Sequence, residues 1–467
     1  VRDAAARHLY ALALRLLTPL WLARLWWRGA REPGYRMHLA ERLGFSPGTG
    51  GGATAGLGPS PGATAGLGPS PGATAGLGPL WVHAVSLGET RAASALIAAL
   101  RERHPGRALL LTHGTATGRE AGRALLRAGD TQAWLPIDTP GAVRRFLRRH
   151  RPAVGVLIET EVWPVLQHEA ARAGVPMVLA NARLSERSLR RGERLAALLR
   201  PAAASLRLVL AQTADDAQRL RSFGTPEPQV CGNLKFDLTP DARRLAIGCA
   251  WRAEVGRHVV LAAVTREGEE AALLAAWRRV HGAVPAVSGA PLLLIVPRHP
   301  QRFDEVAALV TAAGFALVRR SALGGLDAAA GSAGSPGSPA PSAAGAADVW
   351  LGDTLGEMAL YYGLADVALL GGSFEPLGGQ NLIEAAACGC PVVMGPHTFN
   401  FAEAAELALA AGAARRVPTL EEGVQAALAW LAEPGRARDA ARARAFAAAH
   451  RGAAARMADA IAALLPG

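Results

Sequence analysis

The feature that most constrains this chain is a rhythm. Short apolar runs end in polar or glycine residues, and each is followed by an Ala, Leu and Arg-rich stretch of helical length. "PLWVHAVSLGE", "RALLLTHGT", "AVGVLIETE", "PMVLANARLS" and "LVLAQTAD" form one set. After residue 250 the rhythm returns with "HVVLAAVTREGEE", "PLLLIVPRHP", "FALVRRS", "DVWLGDT", "DVALLGGS" and "CPVVMGPH". Continuous apolar runs alternating with helices predict parallel strands covered on both faces. Two such sets, joined near residues 231–241, predict an α/β protein of two Rossmann-like, doubly wound domains facing a cleft. Ligands of such sheets bind beyond the carboxyl ends of the strands, where this chain concentrates Glu, His, Arg, Asn and Gly.

Three segments fall outside the rhythm. Residues 1–36 carry an apolar stretch from Leu9 to Trp27 interrupted by Arg15, Pro19 and Arg24. Arginines are expensive inside hydrocarbon, whereas Trp21, Trp26 and Trp27 beside Arg24, Arg28, Arg31 and Arg36 suit a membrane-anchoring helix held at the interface. The competing reading is an apolar first helix packed on its own domain. Residues 52–79 repeat "GATAGLGPSP", and 324–347 have similar composition; neither can build a core, so both are expected to be flexible insertions. The expected domains are therefore 37–235 and 236–467.

Composition removes several chemistries. Lys235 is the only lysine in a chain with 50 Lys plus Arg, and it lies outside any Gly-Lys-Ser/Thr phosphate loop. Four Cys in 467 residues suggest a reducing compartment without a disulfide framework or structural zinc. The net charge of +12 favours an anionic partner, which charge alone leaves open between nucleic acid, a membrane surface and a phosphorylated substrate. No basic run interleaved with aromatics argues for nucleic acid. No Asp-x-Asp, His-Glu-x-x-His or Gly-x-Ser-x-Gly is present, which argues against metal-bound nucleotide chemistry, zinc hydrolysis and serine hydrolysis.

The strand ends supply the candidates. "LLGGSFEPLGGQNLIEAAA" runs from an apolar strand through glycines into a helix beginning near Asn381, an arrangement that brings backbone N–H groups to a phosphate, with Glu384 available to ribose hydroxyls. Arg298 in "VPRHPQRF" and Gly356 with Glu357 in "LGDTLGEM" follow other strands. In the first set, Ser86 and Gly88 open a helix, and Glu159 and Glu161 share one side of a strand end by period two. Glu41 in "MHLAERLGF" reads as an ordinary helix-surface carboxylate.

Taken together, "ERLGF", "HAVSLGET", "ETEVWP", "NARLSERS", "GNLKFD", "VPRHPQRF", "GDTLGEM", "GGSFEPLGGQN" and "MGPHTFNF" resemble the 3-deoxy-D-manno-octulosonic acid (Kdo) transferases of Gram-negative bacteria, from about Leu9 to residue 451. The resemblance implies a GT-B glycosyltransferase that moves Kdo from CMP-Kdo to a lipid A precursor, inverting and independent of metal. It further implies no other cofactor, and an N-terminal helix on the anionic cytoplasmic side of the inner membrane. By the same resemblance Glu41 is the general base, and Glu159 and Lys235 stabilise the transition state. CMP is held by Pro297 and Arg298, by Gly356, Glu357 and Met358, and by Asn381, Leu382, Ile383 and Glu384.

Two motifs depart from the family's pattern. Its S-x-H-x-G-E-E reads "VTREGEE" here, with Val264 and Arg266, and its G-G-H-N-P-L-E reads "GGQNLIE", with Gln380 and Leu382. A Gln donates and accepts hydrogen bonds but does not titrate, and Val264 has no hydrogen-bonding side chain. The rival readings are a GT-B enzyme using a UDP-sugar and a non-catalytic membrane-binding protein of the same fold.

Overall fold

The structure, a computed structural model, describes residues 2–45, 78–281, 290–323 and 347–465. The low-complexity stretches expected at 52–79 and 324–347 lie outside the described residues except for their last positions.

The chain divides into two α/β units. The first holds β1 (Leu80–His83), β2 (Leu109–His113), β3 (Thr131–Trp134), β4 (Val154–Ile158), β5 (Met177–Ala182), β6 (Leu208–Ala211) and β7 (Gln229–Val230), ordered β3-β2-β1-β4-β5-β6-β7. Its strands are parallel throughout. Alternate residues feed opposite faces: Val82, Leu111 and Val156 join one core, while Trp81, Leu110 and Leu157 join the other. The second unit holds β8 (Val259–Thr265), β9 (Leu292–Pro297), β10 (Leu317–Arg319), β11 (Val349–Leu351), β12 (Val367–Leu370), β13 (Val392–Met394) and β14 (Ala414–Arg416). Here the order is β10-β11-β9-β8-β12-β13-β14, again all parallel.

In each sheet the first strand in sequence is flanked by strands on which the chain winds in opposite directions. This creates a switch point between β1 and β4 in one unit and between β8 and β12 in the other, where parallel sheets open a crevice for ligands. Both sheets are also bulged beside these points. The register of β5 slips between Leu179 and Ala182, and that of β8 slips between Ala263 and Thr265. The residues inside the slips, Asn181 (φ 54°) and Val264 (φ 60°), occupy left-handed backbone. Such backbone is unfavourable for a β-branched valine and persists only where the surroundings impose it.

One expected boundary changes. The second domain was expected to run from 236 to 467, but Arg451–Gly467 belongs with the first unit, and the chain passes to the second only after Asp237. Helix Ala453–Ala462 presents Ala454, Met457, Ala458 and Ile461 to the core beneath β1 and β2, which helix Leu87–Arg103 also lines. The Asp237 carboxylate accepts hydrogen bonds from Gly452 N and Ala454 N, both at 2.5 Å, and so caps this helix at the point where the chain first leaves the unit.

The N-terminal helix, Arg2–Arg28, packs on helices Pro164–Arg172 and Ala196–Ala204 through a face that buries Ala11 and Leu25. Leu9, Leu16, Leu20 and Trp27 lie along the opposite face and are exposed. Among the described residues no helix is long and apolar enough to cross a membrane.

Candidate active site

At the first switch point, β4 is followed by Glu159, a non-glycine residue at φ 67°. Its carboxylate lies 3.6 Å from Lys235 Nζ, and both side chains are about one-quarter exposed. The backbone that carries Lys235 is fixed by three amides. Leu234 N donates to the buried Asn181 Oδ1 (3.0 Å), Lys235 N donates to Asn233 Oδ1 (3.0 Å), and Asn233 Nδ2 donates to Gln212 Oε1 (2.9 Å). Gln212 Nε2 closes the network on the carbonyl of Asn181 (2.9 Å). Leu234 and Phe236, on either side of the lysine, are buried. Bulge, amides and flanking apolar anchors therefore act together to present one ammonium group to one carboxylate.

Two further carboxylates share this strand end. Glu161 accepts a hydrogen bond from Trp163 Nε1 (2.6 Å). Burial pushes its carboxyl up to about 7, Glu89 and Glu159 add to the rise, and the indole N–H opposes it. Glu89 itself is committed: its two oxygens accept from Val85 N (2.7 Å) and Ser86 Oγ (2.9 Å), while Ser86 Oγ accepts from Glu89 N. This is a capping box for helix Leu87–Arg103. The helix start at Ser86 and Gly88, read from sequence as anion-friendly, is thus already filled by the chain's own carboxylate.

Glu41 departs from the helix-surface residue expected. It lies in a 3-10 turn, Leu39–Leu43, and is buried. Arg119 donates to both of its oxygens (2.6 and 3.3 Å), Trp134 N donates at 2.8 Å, and the His38 ring lies 3.8 Å away. The Arg42 and Arg119 guanidinium groups stand 3.9 and 4.8 Å from the Trp134 ring centroid. Burial lowers Arg42 to about 10. Sequence gave no sign of Arg119 or Trp134 as partners, since neither belongs to a motif whose spacing encodes contact with Glu41.

At the second switch point the bulge at Val264 turns the end of β8 toward β12. A Cβ on Gly371 would stand 2.4 Å from Val264 O, so only glycine permits this approach. Buried Glu269 then joins the two strand ends, accepting from Arg266 N (2.8 Å) and from Gly372 N (2.8 and 2.9 Å to its two oxygens). Arg298 follows Pro297 at the end of β9; its backbone N–H donates to Thr265 O (3.0 Å) and its guanidinium donates to Gln380 Oε1. Burial lowers the His299 pKa, and Arg298, Arg266 and Arg302 lower it further, the mark of a strongly positive strand end.

Asn381 caps helix Leu382–Ala387, accepting from Ile383 N at 3.1 Å. Leu382 and Ile383 are buried core residues, so only their backbone is available to a ligand, whereas Glu384 is half-buried. Gly356, at φ 76°, accepts from Arg244 through its carbonyl (2.5 Å) and precedes helix Met358–Leu364. The Glu357 carboxylate is taken up internally by Arg320 (3.0 and 3.2 Å) and Thr354 Oγ1 (2.5 Å). Met358 is half-buried beside it. The expected donor residues thus follow strands β11, β9 and β12 of one sheet, while Glu159 and Lys235 meet in the other.

The model of the family described as 3-Deoxy-D-manno-octulosonic-acid transferase (kdotransferase) matches residues 37–238. A 3-deoxy-D-manno-octulosonic acid transferase of Bordetella pertussis is 50% identical over 97% of this chain and 98% of its own length. The chain belongs to the Kdo transferase family. The enzyme of the same description from Haemophilus influenzae is 32% identical over 85% of this chain and 84% of its own. A UDP-GlcNAc 2-epimerase from Neisseria meningitidis is similar in fold, with a TM-score of 0.51 over 82% of this chain and 98% of that one, at 14% identity. In this Kdo transferase three of the four departures from the family pattern have local accounts, and nothing in the structure explains the valine at position 264. Gln380 serves as hydrogen-bond acceptor to Arg298, Leu382 fills the core, and Arg266 contacts Glu269 through its backbone, which any side chain allows.

Proposed function

We propose that this Kdo glycosyltransferase takes Kdo from CMP-Kdo and transfers it, with inversion and without a metal, to a lipid A precursor at the cytoplasmic side of the inner membrane. The observation that carries the reading is the full-length relationship to the Bordetella enzyme, joined to the fall of the family's motifs on two sheet switch points. In the reaction the acceptor hydroxyl gives its proton to Glu41 as its oxygen bonds to the anomeric carbon of Kdo. The bond from that carbon to the CMP phosphate breaks, and CMP leaves with the electron pair. Glu159 and Lys235 stabilise the charge that develops, and the Arg298 face with the backbone of Gly356–Met358 and Asn381–Glu384 holds the anionic nucleotide. Incubation with CMP-Kdo and a tetraacylated precursor in EDTA tests the whole reading: the product mass should rise by whole Kdo residues. A thermal shift with UDP and none with CMP would transfer the protein to the UDP-sugar alternative, and no response to either nucleotide would favour the non-catalytic one.

Arg298→Ala is expected to weaken CMP binding by about 1.5 to 3 kcal/mol, the range for a hydrogen bond to a charged group. Titration calorimetry measures this, and unchanged affinity would move the nucleotide away from β9. The membrane reading rests on the exposed stripe of the first helix, with Leu and Trp able to enter the acyl boundary beside Arg side chains. Deleting the helix would uncover Ala11 and Leu25 contacts, so the sharper test is Leu9→Gln, Leu16→Gln, Leu20→Gln and Trp27→Gln combined. That variant should remain in the supernatant when anionic liposomes are sedimented; wild-type co-sedimentation would return the helix to a purely structural role.

A further inference from the structure

Arg119 stands on helix Ala116–Arg123, which approaches its neighbours through two glycines. A Cβ on Gly122 would lie 2.4 Å from His113 Nε2 and 2.7 Å from Gln132 Nε2, and one on Gly118 would lie 2.9 Å from Val85 O. Two glycines four residues apart therefore form the contact face of the helix, and no larger residue fits without moving it. Its position is then braced by hydrogen bonds. Gln132 Nε2, on β3, donates to the carbonyl of Arg119 (2.7 Å) and to His113 Nε2 (3.1 Å), and His113 Nδ1 donates to Ala84 O (3.0 Å). One tautomer satisfies the ring, and burial keeps it neutral by lowering its pKa to about 4.

The guanidinium at the end of this brace is only 11% exposed and reaches both oxygens of Glu41, with Trp134 N closing on the same carboxylate. A bidentate fork fixes the plane of a carboxylate as well as its position, which a single ammonium contact does not. We propose that Arg119 is a positioning residue for Kdo transfer, orienting the Glu41 carboxylate for proton removal from the acceptor hydroxyl. This rests on Glu41 being the base. The plain alternative is that Arg119 only neutralises a buried carboxylate and contributes to folding.

A double-mutant cycle on turnover separates the two. Arg119→Gln should lower kcat about 100-fold, the scale of a misplaced catalytic group, with the KM for CMP-Kdo unchanged. Arg119→Lys keeps the charge without the fork and should recover part of that loss. In a Glu41→Gln background neither change should cost anything further, because the group being oriented is gone. If Arg119→Gln does not fold, Arg119→Lys carries the same cycle with a loss of about tenfold expected. Losses that multiply in the double variant, when Glu41→Gln alone has its full effect, overturn the positioning role and leave the base intact. A Glu41→Gln enzyme with wild-type turnover overturns the base assignment, and the positioning role with it.

Discussion

Glu41→Gln is expected to lower turnover by about a hundred- to ten-thousand-fold, the contribution of a positioned general base, while leaving CMP affinity unchanged. An acceptor hydroxyl is a weak nucleophile until its proton departs, and the carboxamide preserves shape while removing basicity. The structure adds a second consequence. Because Glu41 is buried against Arg119, the substitution also leaves a buried guanidinium without its counter-charge, so the first unit should lose stability, by up to about 3 to 5 kcal/mol where a buried pair is broken. The two effects come apart experimentally. Single-turnover kinetics with preloaded CMP-Kdo, at a temperature where the variant is folded by circular dichroism, reports the chemical step alone. A folded variant within a few-fold of wild type would reduce Glu41 to a structural partner of Arg119 and direct the search for a base to Glu161, whose carboxyl has one oxygen on the Trp163 indole and is pushed up to about 7 by burial.

Most strands legible in the sequence are buried on both faces. β1, β2, β4, β5 and β6, with β8, β9 and β11 to β13, follow the apolar runs because a parallel sheet covered by helices requires unbroken apolar sequence, whereas β10 is a half-buried edge strand legible from its "FALV" run. The three that escaped are edge strands. β3 is "TQAW", half of it polar; β7 is two exposed residues; and β14 is "ARR", with only Ala414 buried. An edge strand packs against little, so hydrophobicity does not mark it. The C-terminal helix, expected in the second domain, groups with the first unit for a related reason: sequence shows that Ala453–Ala462 has an apolar face but not which core that face completes.

The candidate site was legible as motifs and illegible as contacts. Gly371, Gly372 and Asn381 could be read directly because a turn and a cap impose particular residue types. The surroundings of Glu41 could not, since Arg119 and Trp134 reach it from 78 and 93 positions away. Glu357 illustrates the converse. As a motif residue it suggests a nucleotide contact, whereas its carboxylate is held by Arg320 and Thr354, two partners that no motif encodes.

Lys235→Arg is expected to be nearly as damaging as Lys235→Met, each lowering turnover by about a hundred- to a thousand-fold, the cost of removing one preorganised donor to developing charge. Lys235 is the only lysine in a chain whose other Lys or Arg positions are all Arg, and the expectation is that a guanidinium does not serve there. In the structure Asn181, Asn233, Leu234 and Phe236 fix the backbone so that a compact ammonium, itself flanked by buried residues, comes within 3.6 Å of Glu159. A planar fork carries its charge further from the backbone and disperses it over three nitrogens, so it cannot occupy the same point. Stability should change little in either variant, since a pair about one-quarter exposed contributes on the order of 1 kcal/mol or less. That separation makes the measurement decisive: both proteins should melt near the wild-type temperature and bind CMP normally, yet turn over slowly. A Lys235→Arg enzyme within a few-fold of wild type would show that charge alone suffices, and that the single lysine has no geometric role in the transfer step.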